Sequence, residues 1–137
     1  MKTRPAYILL AVAAAVLSQA CTTVSNQPLS FQPGNLDPER YVRKVDQFVV
    51  IMDGSMTMAD RVHGERKIGV AGSFLSAANQ TLPALGYDGG LRTFGKGLCG
   101  SKGKTLSVVE PGDYISSAYG DGVARIQCPG GSSPLSL

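Results

Sequence analysis

An α/β layered domain is expected for residues 41–137, and three observations point to it. The run Gln47 to Met52 is continuously apolar after its first residue, rich in β-branched side chains and too short for a buried helix. Apolar residues then recur at Ile68, Ala71, Leu75, Ala78 and Leu82, the spacing of one helical face. Two short apolar segments and a second helical pattern follow, which gives the order strand, helix, strand, strand, helix.

Because its apolar residues fall on both parities, Gln47 to Met52 is expected as a strand buried on both faces. A polar loop spans Arg61 to Arg66, and the helix after it stops at Pro83, which cannot continue the ladder. Gly69 and Gly72 weaken that helix by roughly 1 kcal/mol each relative to alanine. Tyr87-Asp88-Gly89-Gly90 turns the chain into a strand at Leu91 to Phe94, and Thr105 to Val109 forms a third. Beyond Pro111, the positions Ile115, Tyr119, Val123 and Ile126 line a second helix, which Gly120 and Gly122 weaken.

The beginning of the chain reads as an export signal. Met1-Lys2-Thr3-Arg4 is basic, Ala6 to Leu17 is almost wholly apolar, and Ser18-Gln19-Ala20 leads to Cys21. About a dozen apolar residues are too few to cross a bilayer as a helix. A small residue before cysteine resembles a bacterial lipoprotein signal, which implies cleavage after residue 20 and a lipid on Cys21; an ordinary cleavable signal or an uncleaved anchor is the alternative. Residues 21–40, polar and broken by proline and glycine, are expected as a flexible linker. Thr22 follows the cysteine where inner-membrane lipoproteins carry aspartate, so the resemblance implies the periplasmic face of the outer membrane, with periplasm or cell surface as alternatives.

Without Lys2 and Arg4, the 13 basic residues fall to 11 against 10 acidic ones. So balanced a chain has no electrostatic footprint for nucleic acid. Export leaves Cys99 and Cys128 as an even pair in an oxidising compartment, so a disulfide between them and two separate buried thiols are the two readings.

Chemistry concentrates where the first strand ends. Asp53, Ser55 and Thr57 stand at alternate positions, and one carboxylate with two hydroxyls makes an oxygen cage for a hard cation. Asp53-Gly54-Ser55-Met56-Thr57, between a buried strand and a helix, resembles the DxSxS motif of von Willebrand factor type A domains. Gly130-Gly131-Ser132-Ser133-Pro134 resembles that family's second metal loop, with Ser132 in the threonine's place. More narrowly, Val45 to Ala59, Asn79 to Pro83 and Leu91 to Gly95 look like the amino-terminal half of such a domain in bacterial OmpA-like lipoproteins.

The resemblance implies an incomplete doubly wound, Rossmann-like sheet with helices packed on it, preceded by the signal helix and linker. It also implies a metal-ion-dependent adhesion site of Asp53, Ser55, Thr57 and Ser132 that holds Mg²⁺, or Mn²⁺ or Ca²⁺, with low affinity. The family's third metal motif, a later aspartate-glycine, has no counterpart before Leu137, so an acidic group on a protein or envelope partner would complete the coordination. A non-enzymatic interaction module, tethered to the membrane by its lipid, is the function implied; a structural envelope lipoprotein with a degenerate site is the alternative, in which Asp53 and Ser55 only cap a turn.

Other chemistries fit less well. A haloacid dehalogenase-like phosphatase places a second carboxylate where Ser55 stands, and a hydroxyl is no general acid near neutral pH. Gly97 to Thr105 imitates a phosphate-binding loop, but its spacing is one residue too long and a strand-like segment follows. His63 is the single histidine, without cysteine nearby, and reads as a loop residue rather than a zinc ligand. No serine sits in a nucleophile elbow.

Overall fold

The computed structural model describes residues 28–102 and 105–133; the signal segment, Cys21 and Pro134 lie outside these. Strands β1 (Gln47–Gly54), β4 (Asp88–Gly95) and β5 (Leu106–Asp113) form one sheet in the order β1-β4-β5. A hairpin of β2 (Arg61–Val62) and β3 (Glu65–Arg66) precedes helix α1 (Lys67–Thr81), and helix α2 (Ser116–Arg125) follows β5. Turns of 3-10 helix occupy Pro38–Arg40 and Met56–Ala59. The molecule is thus a mixed α/β structure with two helices packed on a three-stranded sheet.

Strands β1 and β4 run parallel, joined through α1, with Val50 beside Leu91 and Met52 beside Thr93. Strand β5 returns antiparallel, and its register shifts between Leu91 and Arg92. Pro111 lies within β5, where its missing N–H is tolerated because the strand is at the sheet's margin.

The core forms between the sheet and both helices. Leu91 is fully buried and is surrounded by Met52, Ile68, Val108, Tyr119, Val123 and Ile126. Gly122 matters here, since a Cβ on it would collide with Val109 and push α2 off the sheet. Phe48, Tyr114 and Tyr119 stack edge to face beside this core, with ring centroids 5.3 Å apart for Phe48 and Tyr114 and 5.5 Å for the two tyrosines. Helix α1 ends as its spacing and Pro83 dictate, with Leu82 N donating to Ala78 O.

Two expectations need correction. Strand β1 is buried on one face only: Phe48, Val50 and Met52 pack toward the helices, whereas Val49 is 47% exposed and Ile51 62%. Both helices contribute to the single core cluster on the Leu91 side, so alternation leaves the odd positions of β1 uncovered among the described residues. The Arg61 to Arg66 segment is a hairpin rather than a loop, because His63 (φ 49°) and Gly64 (φ 84°) both adopt the left-handed conformation of a tight turn.

Residues 30–36 run against α1. Phe31 meets Phe74 edge-on at 5.4 Å, and Gly34 N donates to Thr81 Oγ1 at 2.7 Å. Among the described residues no helix is long and apolar enough to cross a membrane.

Burial raises the Tyr119 hydroxyl to about 12, with the neighbouring Tyr114 as the second cause. Tyr114 is raised as well, again by burial. An unfolded tyrosine ionises near pH 10, so the folded chain holds these protons longer than the unfolded one does. Stability is therefore expected to be complete below about pH 10 and to fall as pH rises toward 12, followed by circular dichroism melts. Tyr119→Phe should flatten that decline.

Candidate functional site

The parallel pairing of β1 and β4 brings their carboxyl ends, Gly54 and Gly95, side by side. Below them Thr93, fully buried, donates its hydroxyl to Met52 O at 2.9 Å and ties the strands together at their last turn. Beyond them the chain has little room. A Cβ on Gly54 would strike the Gly97 backbone, and Gly97 itself (φ 36°) sits against the Thr93 side chain. Glycine is required at both positions by this close approach.

The segment after α2 crosses this same end of the sheet. Leu98 and Ile126 pair in an isolated bridge, Cys128 N donates to Gly97 O at 2.9 Å, and Cys99 and Cys128 form a disulfide. Next, Lys96 N donates to Gly130 O at 2.6 Å and Gly130 N to Gly54 O at 2.9 Å. Finally Met56 N donates to Gly131 O at 3.0 Å. The glycine pair thus lies across the tips of β4 and β1 in turn.

Asp53 is half-buried at the end of β1, and its Oδ1 accepts the Ser55 N–H at 2.7 Å. Ser55 is 6% exposed, and its Oγ lies 3.2 Å from the hydroxyl of the exposed Thr57. Ser132 is exposed and follows Gly131 directly, one residue from the bond to Met56. The backbone therefore brings the Ser132 loop to the loop that carries Asp53, Ser55 and Thr57.

Asp53, Ser55, Thr57 and Ser132 offer oxygen donors only. Among the described residues no three of His, Cys, Asp and Glu gather in one place, so any cation held here would have Asp53 as its anionic ligand and hydroxyls for the rest. Such a set suits a hard cation that keeps several waters, and it does not suit zinc or copper. The Lys96 stem lies over Gly130, which places a cationic side chain on the neighbouring loop. Asp53 also closes the turn at Ser55, a role that needs no ion.

Other sequence candidates resolve structurally. His63 stands at the corner of the β2–β3 hairpin. Gly97 to Lys102 forms a turn locked by the Cys99 disulfide, Gly103 and Lys104 lie outside the described residues, and strand β5 follows where a phosphate-binding loop needs a helix. The sequence singles out the Gly130-Gly131 loop, whereas the Thr93 hydroxyl bond to Met52 O and the packing of Gly97 against Thr93 leave no signal beyond the glycines at 95 and 97.

The disulfide closes a separation of 29 residues and anchors the segment that carries Gly130. Replacing both cysteines by serine is expected to cost on the order of 3 kcal/mol in urea denaturation. An unchanged midpoint would mean that the backbone bonds alone hold the segment.

Compared with protein-family models, curated proteins and solved structures, the chain matches none of them, so the reading of this site rests on its own geometry.

Proposed function

We infer that this protein is a non-enzymatic interaction module, lipid-anchored at Cys21 to the periplasmic face of the outer membrane, in which a divalent cation bridges Asp53 to an acidic group on a partner. The reading is that of a von Willebrand A-like, doubly wound domain with a metal-ion-dependent adhesion site. One observation carries it: Gly130 N to Gly54 O and Met56 N to Gly131 O join two loops 75 residues apart in sequence at the carboxyl end of a parallel strand. Crevices at strand carboxyl ends are where open α/β sheets place ligands.

Each residue has a distinct task. Asp53 supplies charge; Ser55, held by the Asp53 carboxylate through its N–H, carries a hydroxyl 3.2 Å from that of Thr57. Ser132 offers its hydroxyl from the opposite loop. When bound, Mg²⁺ or Mn²⁺ supplies the positive charge that an acidic partner needs.

Adding millimolar Mg²⁺ or Mn²⁺ is expected to raise the melting temperature of the wild type in proportion to binding and to leave Asp53→Ala unmoved. Asp53→Ala also loses a turn cap worth about 1 kcal/mol, so the readout is the cation-dependent increment and not the baseline. Equal increments in both proteins contradict cation binding at Asp53 and favour the degenerate-site alternative, for which the Asp53 to Ser55 turn is the structural support. Release of phosphate from a generic ester, lost in Asp53→Asn, would instead place the chain among phosphatases. For the anchor, a palmitate analogue should label the wild type and not Cys21→Ser; label retained by the variant rules the anchor out.

A further inference from the structure

Strand β1 ends the sheet, and its outer edge has no strand beside it among the described residues. Asp46 O accepts from Asp88 N, and Gly54 O from Gly97 N, so the even positions turn their backbone groups toward β4. Within a strand, N–H and C=O of one residue point the same way and alternate along the chain. The backbone groups of Gln47, Val49, Ile51 and Asp53 therefore face outward. Among the described residues no strand covers them, and the stretch Phe48 to Met52 contains neither proline nor charge, the usual devices that keep an edge from pairing.

The residues along this edge form a near-palindrome centred on Val50: Gln47, Phe48, Val49, Val50, Ile51, Met52, Asp53. We propose that β1 is a dimerisation edge, pairing antiparallel with β1 of a second copy about a two-fold axis through Val50. In that register Val49 lies opposite the partner's Ile51, Phe48 opposite the partner's Met52, and Gln47 opposite the partner's Asp53. A side-chain amide then meets each carboxylate. Moving the axis to Ile51 would set Asp53 against the partner's Val49, and moving it to Val49 would strand the carboxylate beyond the strand pair. Charge and polarity therefore select the Val50 axis.

Burial favours the same occupant. Val49 and Ile51, the exposed apolar pair of the uncovered face, gain two β-branched neighbours from the partner. On the other face an apolar cleft of about 310 Å³, lined by Phe48, Val50, Leu75, Leu82, Tyr87 and Tyr114, opens between β1 and α1 at this margin. A second copy continues both the sheet and the helical layer past the cleft, whereas a single added peptide strand would cover only the edge. The contact is self-complementary and closes on itself, as a two-fold interface must. It does not depend on cation binding.

Because odd residues face outward, Val50 and its partner would be a non-hydrogen-bonded pair, with Cα atoms about 4.5 Å apart. That separation suits a disulfide. In the full chain with Cys21→Ser, Val50→Cys is expected to give a covalent dimer on oxidation, whereas Ser73→Cys, on the exposed surface of α1, gives none. Adding V49K/I51K to Val50→Cys should abolish the dimer, since lysines would then oppose lysines. Mixing that protein with one carrying V49E/I51E and Val50→Cys should restore it as the heterodimer. Circular dichroism confirms that each variant folds; if the lysine variant does not, the contrast between positions 50 and 73 decides alone. No crosslink at position 50, an equal crosslink at 73, or a dimer that survives the lysines overturns the proposal. A monomeric mass for the Cys21→Ser chain at concentrations where the crosslink was sought overturns it as well.

Discussion

The carbonyl of Gly54 is the point on which the architecture turns. It accepts Gly97 N at 3.3 Å and Gly130 N at 2.9 Å, so three segments distant in sequence meet at one oxygen. That meeting is possible only because Gly54 and Gly97 lack side chains, and it is fixed from below by the Thr93 hydroxyl on Met52 O. The disulfide between Cys99 and Cys128 acts on the same junction from outside. Without the junction, the segment that carries Ser132 would lose its backbone bonds to the loop after β1.

Much of the fold is written locally. The apolar run at 47–52, the 3,4,3,4 spacing of Ile68 to Leu82 and the stop at Pro83 each depend on a few neighbouring residues, and the structure places elements there. What local pattern could not show is which face of β1 is covered, because Val49 and Ile51 are as apolar as Val50 and Met52 and only the positions of the helices separate them. The β2–β3 hairpin escaped for another reason: two-residue strands carry no period, and a left-handed histidine leaves no mark in sequence. The candidate site divides the same way. Asp53, Ser55 and Thr57 are neighbours in sequence and could be grouped by inspection, whereas the approach of Gly131 to Met56 is a tertiary fact.

Strand β1 carries two surfaces that share residues but differ in chemistry. At its tip the Asp53 carboxylate accepts Ser55 N beside the paired Ser55 and Thr57 hydroxyls, and its side presents an apolar edge with no strand beside it among the described residues. Asp53 belongs to both: its carboxylate accepts Ser55 N at the tip, and the same residue stands opposite the partner's Gln47 in the proposed edge pairing. Two copies joined along β1 would carry their tips at opposite ends of a continuous sheet, an arrangement suited to bridging two acidic partners. The one-sided helical layer gives the sheet its core at Leu91 and leaves the opposite face uncovered among the described residues.

Paramagnetic broadening of backbone amide resonances by substoichiometric Mn²⁺ tests most directly whether the two loops share one ion. If Gly54 gathers them as described, the amides of Ser55, Thr57 and Ser132 broaden together while those of α1 stay sharp. Broadening confined to residues 53–57, with Ser132 unaffected, would contradict the convergence, and broadening at neither loop would remove the cation.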